Sequence, residues 1–136
     1  MGRALTAQRT LAGLAAAFGV VTIAAGTRVL LGTDPGYVVY RPLLLFNTAM
    51  GFAYLIAAVV VWRDLLRGRN AALAIFALNL AALAWIAWLH RSGASVATTS
   101  LGAMTLRVGF WLALAVAVGW LARRGRTAVR DGRHCS

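Results

Sequence analysis

The sequence contains no glutamate and no lysine, and its three acidic residues are Asp34, Asp64 and Asp131. Only 12% of its residues are charged, whereas about a quarter are charged in soluble domains. With a single cysteine, Cys135, and two histidines, it has no disulfide framework, no CxxC pair and no four-ligand zinc site. These absences argue against acid-pair hydrolysis, Schiff-base chemistry and metal catalysis. We predict no enzymatic activity, no metal and no cofactor.

Hydrophobic residues make up 61% of the 136-residue chain. A helix needs about 20 mostly apolar residues to cross the hydrocarbon layer of a membrane. Four segments approach this length, and the fourth reaches it only by including Arg107. They are residues 11–31, 43–62, 71–89 and 102–121. The sequence therefore predicts an all-α integral membrane four-helix bundle over residues 1–122, followed by a basic, disordered cytoplasmic tail over residues 123–136.

The fourteen basic residues are all arginines, and they are unevenly distributed between the two ends of the predicted spans. Ten lie at the end that carries both termini, and four, Arg28, Arg41, Arg91 and Arg107, lie at the other. Basic residues in short flanking segments favour the cytoplasmic side. We predict an up-down-up-down bundle with both termini in the cytoplasm. The first apolar run is longer than the core of a cleaved signal peptide, which favours a retained anchor. The arginine-only, alanine-rich composition favours the inner membrane of a bacterium.

Small residues recur at helical spacing in the first two predicted spans. Membrane helices associate through such residues because they let two backbones approach closely. The predicted packing residues are Ala15, Gly19, Thr22, Gly26, Gly51 and Ala58. Ala113 and Ala117 are the corresponding small residues of the fourth span.

Three polar side chains, Asn47, Tyr54 and Asn79, fall within the second and third spans. Asn47 and Tyr54 share one helical face, and His90 shares a face with Asn79, because eleven residues make almost three complete turns. One interpretation is a set of interhelical hydrogen bonds, each worth roughly 0.6 to 2 kcal/mol. The alternative is a ligand cavity toward which all three polar residues turn.

Arg28 and Arg107 lie inside apolar segments about one turn from the predicted outer ends, with His90 at a nearby depth. Charges within spans are costly and usually face the interior or a polar cavity. The only acid on that side is Asp34, so most of the outer arginines lack an internal counter-charge. They either extend to lipid headgroups or form a shallow anion site for a lipid phosphate, a small anion or an acidic partner. His90 would make such a site sensitive to pH.

Several four-span families require residues that this chain lacks. Small multidrug exporters need an acid in the first span, quinone-linked disulfide formers need a pair of cysteines, and b-type cytochromes need two intramembrane histidines. GTRVLLG and FNTAMG look like elements of small fluoride channels. However, the third span lacks the phenylalanine-bearing break of those channels, and the arginine bias contradicts their dual insertion.

Arg28 lies near the outer end of the first span, Pro42 precedes a second span carrying MGFAYLIAA, and AMTLRVGFW leads into the fourth. This plan resembles small bacterial membrane proteins of the broadly DoxX-like kind. The resemblance covers all four spans and implies the four-helix fold. It also implies an accessory role beside a quinone-reducing enzyme.

Three functions follow as hypotheses. The first is an accessory or assembly subunit of a larger membrane complex, partnered by membrane lipids and by other subunits or a second copy. The second is a protein that binds or transports a small anion, lipid or quinone. The third is a sensor whose tail recruits a cytoplasmic protein; nucleic acid is not an expected partner. The second hypothesis assigns ligand binding to Arg28, Arg107, His90, Asn47, Tyr54 and Asn79.

Overall fold

The computed structural model describes residues 2–132, with side chains for residues 2–125. Its four helices are α1 (Gly2–Leu30), α2 (Arg41–Arg63), α3 (Leu65–Arg91) and α4 (Thr98–Gly132). No β-strand occurs between residues 2 and 132. All four helices are long and apolar enough to cross a membrane. The predicted all-α chain with four apolar helices is confirmed, and by this criterion the chain is a multi-pass membrane protein.

All four helices begin earlier than the apolar runs indicate, and the difference is largest for α1, which begins at Gly2, and α3, which begins at Leu65. A tertiary contact explains the additional turns of α1. The Gln8 side-chain amide donates to the carbonyls of Val61 and Trp62 at 2.8 and 3.0 Å, which satisfies carbonyls that the end of α2 leaves unpaired. At the other end of the chain α4 extends to Gly132. The rest of the predicted tail, with Cys135, lies outside the residues that the structure describes.

A single residue, Asp64, connects α2 to α3. Its backbone is extended, with φ −150° and ψ 118°, and its Oδ1 accepts the backbone N–H groups of Leu66 and Arg67 at 2.8 and 3.1 Å. Asp64 therefore ends one helix and caps the next. The reversal is tight enough that a Cβ added at Gly68 would lie 2.7 Å from the Cα of Val61.

The Asp64 cap predicts an acid-sensitive contribution to stability. The backbone N–H groups of Arg67 and then of Leu66 hold the pKa of the Asp64 carboxyl below its ordinary value of 3.8. A carboxyl with a lowered folded-state pKa stabilises the fold above its unfolded pKa, and the contribution is lost as the pH falls through the folded value. We expect the unfolding midpoint of the wild type to fall relative to Asp64→Asn below about pH 4. Thermal unfolding in a nonionic detergent measures this difference, and parallel pH profiles of the two proteins would contradict it.

Neighbouring helices pack in sequence, α1 on α2, α2 on α3 and α3 on α4, whereas α1 and α4 touch little. The backbones of α1 and α2 also approach closely, since a Cβ added at Gly19 would lie 3.0 Å from the carbonyl oxygen of Gly51. The small residues predicted to form the packing faces are all buried: Ala15, Gly19, Thr22, Gly26, Gly51 and Ala58.

The face of α4 differs from the expectation. Ala113 is exposed and Ala117 is half-buried. The buried residues of α4 instead include other small residues, Ala115 and Ala122, and larger ones, and the fully buried Trp111 lies beside Tyr54 of α2 with ring centroids 4.8 Å apart. A large aromatic side chain fills the space between α2 and α4 that two alanines would leave empty. The prediction that α4 packs through Ala113 is therefore wrong.

Candidate polar site in the bundle interior

Two apolar clusters make up the core, and polar residues lie between them along three helices. The larger cluster contains Tyr54, Ile75 and Trp111, and the smaller one contains Leu43, Ala82 and Met104. On each of α2, α3 and α4, a polar residue lies in the sequence between a member of the smaller cluster and a member of the larger one. We call this set the polar layer; it consists of Asn47 and Tyr54 of α2, Asn79 of α3, and Arg107 of α4 together with the indole N–H of Trp111.

A buried hydrogen bond joins α2 to α3 within the polar layer. The Tyr54 hydroxyl donates to Oδ1 of Asn79 at 2.8 Å, and both residues are 0% exposed. Nδ2 of Asn79 donates to the Ile75 carbonyl one turn earlier on α3, at 2.9 Å. The two side chains therefore satisfy each other, as the interhelical interpretation of the sequence requires. Their convergence also fixes the orientation of the Tyr54 ring against α4.

Aromatic rings surround the Tyr54 side chain. Its ring centroid lies 5.7 Å from that of Phe18 on α1 and 4.8 Å from that of Trp111 on α4. Phe18 in turn stacks on Phe110, with centroids 4.2 Å apart and the planes within 6° of parallel. This stack is one place where α1 and α4 meet. Aromatic rings from α1, α2 and α4 therefore pack together where the larger apolar cluster meets the polar layer.

Arg107 brings a positive charge to the polar layer. The residue is half-buried, and one terminal nitrogen lies 3.9 Å from the sulfur of the fully buried Met104. Its Nε is buried without a hydrogen-bond partner. Among the side chains of residues 2–125, the only ion pair joins Arg67 to Asp64, so no carboxylate neutralises Arg107. A guanidinium in this setting retains strong capacity to bind an acceptor.

Two further buried atoms of the polar layer are unpaired, Nε1 of Trp111 and Oδ1 of Asn47. Trp111 follows Arg107 by four residues, so the two N–H donors lie on the same face of α4. Buried polar groups are rarely left without a partner in folded proteins. The polar layer therefore offers two donors, one of them charged, together with one acceptor on α2.

The other predicted ligand residues lie at the periphery. Arg28 is exposed in the last turn of α1, and no polar contact within the described chain joins it to Arg107. His90 is exposed at the end of α3, where its Nδ1 lies 3.0 Å from the Val96 carbonyl and supports the α3–α4 connection. The structure thus brings Tyr54 and Asn79 into contact but leaves Arg28 and His90 outside the polar layer.

Sequence reasoning did not identify Trp111 as a site residue. The signal available was its four-residue spacing from Arg107, which assigns both to one helical face. Phe18 and Phe110 carried no signal, because a phenylalanine in an apolar span is equally compatible with lipid contact. Their role depends on the crossing of α1 and α4, which one helix does not specify.

The donors and the acceptor of the polar layer are groups that can bind a ligand. The layer contains no nucleophile paired with a base, and residues 2–125 contain no group of three or more metal-ligating histidine, cysteine or acidic side chains. No protein-family model, curated protein or solved structure matches this chain. The functional interpretation therefore rests on the residues themselves, and the DoxX-like relationship stays a prediction.

Proposed function

We propose that this membrane protein binds, without chemically converting it, a small ligand that presents acceptor oxygens to Arg107 inside the helix bundle. The observation that carries the proposal is the half-buried guanidinium of Arg107, which has an unpaired Nε and no carboxylate partner. Burying a charge away from water is costly unless the charge is paired and hydrogen-bonded. A bound acceptor would offset this cost, so the ligand-bound protein would have a lower free energy than the ligand-free protein.

The donors of the polar layer define the ligand by chemistry. A carboxylate, a phosphate or a quinone carbonyl each presents oxygens that accept from the Arg107 guanidinium and the Trp111 indole N–H. Asn47 adds an unpaired acceptor that suits a hydroxyl or an acid proton. The aromatic and apolar walls favour a ligand whose remainder is hydrophobic. The shared class is therefore an apolar molecule with one oxygen-rich head.

The proposed setting is the bacterial inner membrane, with an up-down-up-down bundle and both termini in the cytoplasm. The ten-to-four distribution of arginines between the two ends of the helices supports this orientation. In this arrangement Arg107 lies in the outer half of α4. A ligand of the polar layer would then be reached most directly from the outer leaflet or the periplasm.

A binding panel tests the proposal with the purified full chain. The probes are oleate, a decyl-substituted benzoquinone and inorganic phosphate, with dodecanol as an apolar probe that lacks an acidic head. Hydrogen bonds to a charged group contribute about 1.5–3 kcal/mol. We therefore expect Arg107→Gln to weaken at least one oxygen-bearing probe by about tenfold or more. Thermal-shift titration in detergent gives the affinities.

Arg28→Gln is the matched control, because it removes an exposed arginine outside the polar layer and should change the affinity by less than about twofold. The ligand-free Arg107→Gln protein should be no less stable than the wild type, since the substitution removes a poorly compensated charge. Equal affinities of wild type and Arg107→Gln for every probe would refute the proposal.

A second candidate function, an accessory subunit of a membrane complex, is supported by the outer face of α3. Four alanines follow one another there at helical spacing, and all are exposed: Ala74, Ala77, Ala81 and Ala84. Such a face allows close approach of a partner helix. Copurification in mild detergent should yield a companion membrane subunit or a second copy. Ala81→Leu should release this partner, whereas Ala25→Leu, at an exposed position of α1, should not. A monomer without companions would contradict this role.

A further inference from the structure

A second binding feature lies at the opposite end of the bundle from Arg107. Where α1 begins and α4 ends, the two helices are separated by an open cleft of about 740 Å³. Its walls include Ala7 and Leu11 of α1 and Ala117, Trp120 and Leu121 of α4, with Arg3 at the end of the chain. The volume falls within the roughly 300–1,000 Å³ of small-molecule sites. We propose that this α1–α4 cleft binds an anionic phospholipid, with an acyl chain between the helices and the phosphate at the arginines.

The walls of the α1–α4 cleft present apolar groups even at the two positions occupied by threonine. Thr6 and Thr10 line it, but their hydroxyls donate to the carbonyls of Gly2 and Thr6, each at 2.9 Å. The hydroxyls are therefore satisfied within α1. An occupant of the cleft gains apolar contact and no hydrogen bond from these positions, which suits a hydrocarbon chain.

Positive charge at the mouth of the cleft favours a ligand with an anionic headgroup. Arg3 lines the cleft and is exposed, whereas Arg123 is exposed and lines a neighbouring cleft between α3 and α4. The guanidinium of Arg124 lies 3.6 Å from the ring centroid of Trp120, and that of Arg9 lies 5.3 Å from that of Trp62. Tryptophan favours the depth of the lipid headgroups. The arginines are thus placed at the level of a lipid phosphate.

Asp64, the acid at this end of the bundle whose side chain the structure describes, does not neutralise the arginines of the cleft. Asp64 is held by the backbone N–H groups of α3 and lies 3.9 Å from Arg67. The resulting excess of positive charge selects an anionic headgroup over a zwitterionic one, because each arginine near an anionic lipid surface contributes favourably. A phospholipid headgroup also matches the two arginines beside the cleft, Arg3 in its wall and Arg124 against the ring of Trp120.

Native mass spectrometry of the full chain tests this site with two lipids that carry the same acyl chains, phosphatidylglycerol and phosphatidylcholine. We expect wild type to retain phosphatidylglycerol with at least about a tenfold preference, since several arginines act together. Arg3→Gln, an exposed change, should lower the affinity about fivefold, as expected for one basic side chain. Ala117→Phe should weaken retention by narrowing the cleft, whereas Ala113→Phe, one turn earlier on the exposed face, should not.

Four outcomes would overturn the proposal. They are equal retention of the two lipids, an unchanged affinity in both Arg3→Gln and Ala117→Phe, equal competition by oleate, and a dimer that Ala117→Phe dissociates. The last two would assign the cleft to a fatty acid or to a second copy. Because Arg107 is unchanged in these variants, failure here is distinguishable from failure of the interior site.

Discussion

Gly51→Leu is expected to prevent the native packing of α1 on α2 and to leave little folded protein. A Cβ at this position would lie 2.5 Å from Cγ1 of Ile23 and 3.2 Å from both the carbonyl oxygen of Gly19 and the backbone nitrogen of Ile23. Two of these three atoms belong to the backbone and cannot rotate away. Overpacking typically costs about 1–3 kcal/mol and occasionally more, and a leucine against backbone should exceed that range. Size-exclusion chromatography before and after heating measures the loss.

Gly13→Leu is the matched control for Gly51→Leu. Gly13 lies on α1, and an added Cβ there meets no atom within 4 Å. Its leucine variant should elute and melt like wild type. A milder pair refines the test: Gly51→Ala should be destabilised, and Ile23→Ala in the same chain should restore part of the loss by removing the side-chain clash. A Gly51→Leu protein as stable as Gly13→Leu would disprove the close α1–α2 crossing.

Trp111→Ala is expected to lower the free energy of unfolding by about 3 kcal/mol, toward the lower end for removal of a large buried aromatic. Trp111 is 0% exposed and contacts the rings of Tyr54 and Phe110. Lipid is as apolar as leucine, so transfer from lipid contributes little. The loss comes from dispersion contacts that α2 and α4 no longer make across the void. Reversible unfolding in mixed micelles provides the free energy.

Trp88→Ala removes a tryptophan that is 63% exposed and should cost much less. Trp111→Phe separates packing from hydrogen bonding, because it keeps most of the ring volume and removes the indole N–H. We expect Trp111→Phe to retain most of the stability but to weaken the probe that responds to Arg107→Gln. If Trp88→Ala and Trp111→Ala were equally stable, the buried position of Trp111 would be wrong.

The spacing of small residues was sufficient to locate the packing face of α1. Gly19 and Gly26 recur at helical intervals, and only residues of that size let two backbones meet in an apolar solvent. The tyrosine and asparagine of the polar layer were likewise identified, because an unpaired amide is costly in a membrane and must turn inward. In both cases the cost of facing lipid, or of keeping two backbones apart, required the residue to face a neighbouring helix.

Arg107 shows where such reasoning stops. A long arginine side chain reaches either lipid headgroups or the bundle interior from nearly the same backbone position. Its helical periodicity therefore does not separate snorkelling from burial, and Arg28, which also lies in an apolar run, is exposed. Only the positions of Met104 and Trp111 on the folded helix decide between the two. The burial of Trp111 in α4 escaped prediction for the same reason, since it depends on the shape of the neighbouring helices.

The connections between helices differ greatly in length, and this asymmetry bears on entry to the interior. One end of the bundle is fastened by the single-residue Asp64 turn and by the Gln8 amide on the last carbonyls of α2. The other end has the longer segments 31–40 and 92–97. Short connections restrict the separation of the helices that they join, whereas longer ones permit it. We therefore expect α2 and α3 to stay together at the Asp64 turn, and the helices to separate more readily at the end with the longer connections, where Arg107 lies.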